Sequence, residues 1–222
     1  MPAARDHKRV GENDTGPNTG GMGAITDATV LDNETLACIV REVVEPTLSG
    51  ATEEGFSFHG VLFIGLMLTA DGPKVLEYNV RFGDPETQAI LMRLNTDLYQ
   101  LFQATIDGTL SEVKVEWSEQ SSACVVLASG GYPASYETGK TIVGLDDIAT
   151  SNNLQIFHAG TSRSEAGELI TSGGRVLGVT AAAATLREAL ASCYNLAGKI
   201  SWPRMHYRRD IGHFHDTLKA NN

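Results

Sequence analysis

Cysteine is scarce in this 222-residue chain: Cys38, Cys124 and Cys193 are widely separated and odd in number. That excludes a disulfide framework and any C-x-x-C metal knuckle, and buried reduced thiols of a cytosolic protein are the expected state. Long apolar runs are missing too. The longest, Gly60 to Ala70, is broken by glycine and falls far short of the roughly 20 residues that a bilayer span needs. Met1 to Val10 holds Arg5, Asp6, His7, Lys8 and Arg9 and no apolar stretch, so no signal peptide is read there. The expectation is a soluble, cytoplasmic protein with no membrane partner. Positive charge is in deficit, 17 Lys and Arg against 27 Asp and Glu for a net charge of -10. Duplex binding draws its affinity from basic side chains on phosphates, so no nucleic-acid partner is expected. A small-molecule substrate is the default, and a local basic patch can still hold a phosphate. No internal repeat or low-complexity tract appears.

What is present is ordinary globular composition, 42% hydrophobic and 20% charged, enough for one large domain or two modest ones. Gly11 to Gly23 is rich in Gly, Asn, Asp and Thr and reads as a loop. Asp32 is placed to cap a helix carrying Leu36, Ile39, Val40, Val43 and Val44 at helical spacing, with Pro46 expected to kink or end it. Gly60 to Thr69 reads as a buried strand, Ala70 to Pro73 as a turn and Lys74 to Val80 as a second strand, hence a hairpin. Asp84 as cap, Pro85 at the first helical position and Glu86 in the first turn then form a helix start. A further helix from Thr96 carries Leu98, Leu101, Phe102 and Thr105 on one face and stops at Gly108.

Near Trp117 the pattern changes to strand and turn signals, which places a domain boundary there: residues 1–117 and 118–222. Ala123 to Ser129, Thr141 to Val143 and Gln155 to Ala159 read as strands. Glu168 to Thr171 and Arg175 to Thr180 read as a hairpin turned by Ser172, Gly173 and Gly174. A closing helix capped by Thr185 presents Leu186, Ala189, Leu190, Cys193, Leu196, Ala197 and Ile200 as one stripe. The fold class is α+β.

Two constellations can carry chemistry. On the strand Lys74 to Val80, side chains alternate, so Glu77, Asn79 and Arg81 share a polar face while Leu76, Tyr78 and Val80 face a core. A carboxylate and an amide oxygen two residues apart can hold a hard cation such as Mg²⁺, with waters and triphosphate oxygens completing the shell. Arg81 is placed to neutralise a transferring phosphoryl group. The same spacing also fits a solvated strand face with a surface ion pair. The second constellation joins Arg5-Asp6-His7-Lys8-Arg9 to the glycine-rich run Asp14 to Ala24. Glycine-rich backbone can present amides to an anion, with Lys8 and Arg9 adding charge. A flexible linker is the alternative. His206, His213 and His215 match no metal-ligand spacing and read as a solvated tail without assigned function.

The run Leu76 to Glu86, with Arg81-Phe82-Gly83-Asp84-Pro85-Glu86 at its end, resembles a signature of the phosphoribosylamine-glycine ligases, an ATP-grasp family. Asp6-His7-Lys8-Arg9 followed by Gly16-Pro17-Asn18-Thr19-Gly20-Gly21-Met22-Gly23 resembles the family's second motif. Gly130 to Pro133, Phe157 to Thr161 and Gly173 to Leu177 resemble its carboxy-terminal domain, so the likeness covers nearly the whole chain. The resemblance implies the carboxy-terminal lobe of an ATP-grasp domain, antiparallel sheet with helices, followed by a small mainly-β domain with a closing helix. It implies Glu77 and Asn79 as ligands of Mg²⁺ (or Mn²⁺), Arg81 beside the reacting phosphate, and substrate or phosphate contacts from Lys8, Arg9, Asn18, Thr19 and Gly20. The implied substrates are ATP, glycine and 5-phosphoribosylamine. Related ATP-grasp enzymes often place another acidic ligand on the preceding strand, and Val61 to Leu68 contains no carboxylate. Only Met1 to Ala4 precede the second motif, so the family's amino-terminal half is expected in cis or trans and the chain alone is expected to be inactive. A non-catalytic binding or scaffold module descended from the ligase is the alternative.

Overall fold

The computed structural model describes residues 1–56, 58–146 and 148–213; His215 lies outside them. Along the chain run β1 (Arg5–Asp6), β2 (Arg9–Gly11), β3 (Thr15–Asn18), β4 (Gly23–Thr26), α1 (Asn33–Ile39), α2 (Glu45–Glu53), β5 (Phe63–Thr69) and β6 (Gly72–Asn79). There follow α3 (Glu86–Leu91), α4 (Leu98–Asp107), β7 (Ser121–Ala128), β8 (Leu154–His158), β9 (Thr161–Arg163), β10 (Leu169–Thr171), β11 (Arg175–Ala183) and α5 (Leu186–Ala197). Among the described residues every strand pair is antiparallel, so the α+β class holds. The described residues form two compact units, one from residues 1–30, 84–93 and 119–213, the other from 31–83 and 94–118. Among the described residues no helix is long and apolar enough to cross a membrane.

The first unit is built on a five-stranded sheet in the order β1-β4-β7-β11-β8. The strands β7 and β4 are buried along their whole length and β11 from Val176 to Ala182, because helices cover both faces. One face packs Ile25, Val125, Leu127 and Val179 against Ala189, Cys193, Leu196 and Ala197 of α5. Full burial of each large aliphatic contributes about 1.5–3 kcal/mol. That face of α5 is the stripe read from the sequence, and its start is a capping box in which Thr185 and Glu188 satisfy each other's backbone. The opposite face carries small residues, Ala24 and Cys124, on which Ala89 of α3 sits. A side chain at Gly178 would press on the Cys124 sulfur at 3.1 Å, so smallness here lets α3 approach.

Three local expectations change in this unit. The glycine-rich segment is not all loop: β2 and β3 pair as a short ribbon, Arg9 opposite Asn18 and Gly11 opposite Thr15. Residues 168–180 do not form a hairpin, since β10 pairs with β9 while β11 lies between β7 and β8. The turn carbonyls are taken by a distant residue: the Ser129 amide donates to Gly174 and its hydroxyl to Gly173, both at 2.8 Å. Residues 205–212 are packed rather than solvated, while His213 is exposed as expected. The His206 ring nitrogen lies 2.8 Å from the Val10 carbonyl, Arg208 is 1% exposed, and Ile211 is fully buried in the core. Thr141 and Val143 make only isolated bridges, to Ile170 and Ser201.

In the second unit α1 begins at Asp32, whose carboxylate accepts the Thr35 amide at 2.7 Å. Pro46 does not break the helix. A π-turn over Val40–Val44 separates α1 from α2, and Pro46 falls in the first turn of α2, where a missing N–H is tolerated. The β5–β6 hairpin forms, with a bulge between the pairs Gly65–Glu77 and Leu66–Val75, but β5 starts at Phe63 and is not the buried strand expected: none of its residues is buried, and Met67 is 52% exposed. Its apolar side is not core: Leu76 is 62% and Val80 76% exposed. Tyr78 leans on α2, its hydroxyl 2.9 Å from that of Thr47. α4 is capped by Asp97 and stopped by Gly108 in the left-handed region at φ 72°, and Phe102 on it meets Phe82 with ring centroids 6.1 Å apart.

Candidate functional site

In the second unit Glu77 and Asn79 stand two residues apart beyond the bulge of β6, opposite Gly65 and Phe63, so both project from one face. The stem of Glu77 crosses Gly65, where an added side-chain carbon would meet the Glu77 Cγ at 3.0 Å. The absence of a side chain there makes room for the carboxylate arm. The Asn79 amide nitrogen is buried without a hydrogen-bond partner among the described residues. Rotation of the amide exchanges nitrogen and oxygen, so the group can present Oδ1 to a cation. Two hard oxygen donors fit Mg²⁺, which keeps several waters and shares substrate phosphates rather than demanding an all-protein cage. Among the described residues no cluster of three His, Cys, Asp or Glu could hold a metal. Arg81 is exposed and folds back on its own backbone, Nη1 donating to the Phe82 carbonyl at 2.8 Å.

In the first unit Lys8, Arg9, Asn18, Thr19 and Gly20 come together around the β2–β3 ribbon. Lys8 is paired with Asp6 at 2.5 Å and stands 4.0 Å from Glu86. Burial pushes both carboxyls above their ordinary values; Lys8 opposes this at Asp6, while the Asp6 charge adds to it at Glu86. Arg9 donates to the Gly16 carbonyl at 2.8 Å. Thr19 is the pivot of the loop: its amide and hydroxyl both donate to the Lys8 carbonyl, and its oxygen accepts the Gly21 amide at 2.9 Å. The Met22 amide goes to the His7 carbonyl and the Gly20 amide to the Tyr132 hydroxyl, each at 2.9 Å. The amides from Thr19 to Met22 thus all have acceptors within the unit. The glycines serve close packing instead: a side chain at Gly21, where φ is 121°, would strike the Pro85 ring at 2.5 Å and Asp6 at 2.7 Å.

Sequence reading missed the residues that join these segments. Arg175, first in β11, donates from Nη1 to the Gly20 carbonyl at 3.0 Å and the Asp84 carbonyl at 2.6 Å, and from Nη2 to the Asp84 carboxylate at 3.2 Å. Asp84 therefore does not cap α3. Its carboxylate takes Arg175 and the Gln88 side chain, and the helix starts behind Pro85 without a side-chain cap. The ribbon is pinned from the far end of the chain by Arg208, which donates to the Arg9 carbonyl, Asp14 and Asp210. His7 is buried, and its Nε2 accepts the Gly212 amide at 3.1 Å. Burial, reinforced by the Arg208 charge, pulls His7 down to about 4. The adjacent Gly20-Gly21 pair was the one available hint of such close approach.

Residues 1–87 match the family described as Phosphoribosylglycinamide synthetase, ATP-grasp (A) domain, and residues 122–214 match its C domain. The chain is 50% identical over 212 residues to the phosphoribosylamine–glycine ligase of Brucella melitensis, covering 96% of this chain and 49% of that protein. It is 46% identical over 215 residues to the chloroplastic phosphoribosylamine–glycine ligase of Arabidopsis thaliana, 96% of this chain and 40% of the relative. The crystal structure of the Thermotoga maritima phosphoribosylamine–glycine ligase superposes with a TM-score of 0.82 at 37% identity, covering 95% of this chain and 51% of that one. The chain spans about half the length of the curated relatives it matches. By both family matches and by fold, it belongs to the phosphoribosylamine–glycine ligase family of ATP-grasp proteins.

Proposed function

We propose that this chain contributes one wall of the active site of an ATP-dependent ligase that joins glycine to 5-phosphoribosylamine, giving glycinamide ribonucleotide, ADP and phosphate. The carrying observation is the Glu77–Asn79 pair on one strand face, with a buried Asn79 amide that no described residue satisfies. In this reading the glycine carboxylate attacks the γ-phosphate of ATP, ADP leaves, and the amine of 5-phosphoribosylamine displaces phosphate from glycyl phosphate. Mg²⁺ (or Mn²⁺), when bound, supplies the positive charge that lets a carboxylate approach a triphosphate. Glu77 and Asn79 would hold it. Arg81 uses one of its five N–H groups on Phe82 and has others to place on the phosphoryl oxygens. Lys8, Arg9, Asn18, Thr19 and Gly20 would form the substrate side, through side chains and the exposed surface of the loop rather than through amides already engaged. Residues 1–117 are taken as the ATP-grasp lobe and 118–222 as the family's carboxy-terminal domain, working in the cytoplasm.

Because the chain matches about half of its relatives' length, the nucleotide-binding wall is assigned to the family's amino-terminal half, in cis or trans, and the chain alone is taken to be inactive. Mixing the purified chain with that half should produce glycinamide ribonucleotide from ATP, glycine and phosphoribosylamine, and neither piece should do so alone. Steady product formation by the chain by itself would overturn the division, and an associated but inactive mixture would overturn the activity.

A further inference from the structure

Arg175 stands outside both motifs that define the candidate site, yet it touches each of them. Its guanidinium gives three hydrogen bonds, one to the Gly20 carbonyl and two to Asp84, and its side chain is 23% exposed. Gly20 is held from two sides, since its amide donates to the Tyr132 hydroxyl while its carbonyl accepts from Arg175. The fit is close: a side chain at Gly20 would press on the Arg175 Cζ at 3.0 Å, and one at Gly174 on the Tyr132 ring at 2.3 Å. Arg175 opens a strand buried between two neighbours, so its backbone is fixed by the core. A planar fork on a fixed base aims donors at two acceptors that are far apart in sequence.

Resting on the reading above, we propose that Arg175 is a positioning residue of the ligase: it fixes the Gly20-Gly21 turn on the Asp84-Pro85 turn, so that the substrate loop is in place before substrate arrives. It touches no substrate. A lysine can make part of this array as a point donor but not the three-way fork. Loss of the fork frees a loop whose displacement by about 1 Å is enough to cost up to 100-fold in rate.

The test uses Arg175→Met, Arg175→Lys and Tyr132→Phe. In the chain alone, amide hydrogen exchange of the 19–22 and 84–88 segments should rise about 10-fold or more in Arg175→Met, less in the other two, with exchange in β7 and β11 unchanged. In the enzyme completed with its amino-terminal half, Arg175→Met should raise KM for one of the three substrates about 10-fold or more, with kcat changed less and Arg175→Lys intermediate. That substrate is the one the loop serves. Unchanged exchange in 19–22 overturns the proposal, as do faster exchange with all kinetic constants intact and a uniform loss of exchange protection across the sheet. If the wild-type mixture makes no product, the ligase reading has failed by itself, and the exchange arm still decides whether Arg175 fixes the loop.

Discussion

The guanidinium of Arg208 and the carboxylate of Asp14 stand 2.8 Å apart across 194 residues of sequence. Arg208 is almost fully buried and also holds Asp210 and the Arg9 carbonyl, while Asp210 takes the Asn13 amide at 2.7 Å. The ribbon that carries Arg9 and Asn18 is thus fastened by the carboxy-terminal segment. Asp14 is half exposed and can be hydrated without Arg208, but Asp210 is largely buried, and removing one partner of a buried ion pair costs about 3–5 kcal/mol. Arg208→Ala should lower unfolding free energy by about 3 kcal/mol in urea, and Arg208→Lys by less, because one ammonium replaces a four-bond fork.

His7 should make stability fall with acid. Its folded value of about 4 lies below the ordinary 6.5, so the unfolded chain binds more protons between these two values. Its contribution is complete above about pH 6.5 and is lost as pH falls toward 4, on the order of 3 kcal/mol in total. Asp14 faces the ring and acts in the opposite sense to Arg208 and Arg5. The raised carboxyls of Asp6 and Glu86 give a trend of opposite sign, stability that is lost as pH rises. The comparison of wild type with His7→Gln therefore isolates the histidine: the difference in urea stability should shrink from pH 7 to pH 4.5.

Gly65→Ala should damage the metal face without damaging the fold. Its backbone is not in the left-handed region, and among the described residues the only tight contact of the new methyl is the Glu77 Cγ at 3.0 Å. Stability should move by less than about 1 kcal/mol, while the Mg²⁺ concentration for half-maximal turnover in the completed enzyme should rise about 10-fold.

The three thiols should separate by reactivity. Cys124 and Cys193 are fully buried and Cys38 is half-buried. Burial pushes all three up, Cys124 to about 12, so none is an activated thiolate. A disulfide reagent at pH 8 should modify Cys38 slowly and first, and the other two only as fast as the chain unfolds.

What the sequence revealed was local. Asp32 and Thr185 cap their helices, and the α5 stripe and the β5–β6 hairpin follow from periodicity, because each signal lies within one element. Periodicity separates the faces of β6 but does not say which is covered, and so Leu76 and Val80 read as core although they are exposed. Pairing at long range was hidden as well: β11 pairs with β7 and β8 rather than β10, and Arg175 and Arg208 find their acceptors 155 and 199 residues away. For the candidate site, Glu77 and Asn79 were legible as a strand face, whereas the lock on Gly20 was not, because nothing near Arg175 in sequence marks its target.

The most direct test of the account is Glu77→Gln in the chain mixed with the amino-terminal half of the ligase. The change keeps shape and removes charge, so association of the halves should be unaltered while glycinamide ribonucleotide formation at saturating Mg²⁺ falls at least ~100-fold. Turnover within a few-fold of wild type would contradict the assignment of Glu77 and, with it, the site.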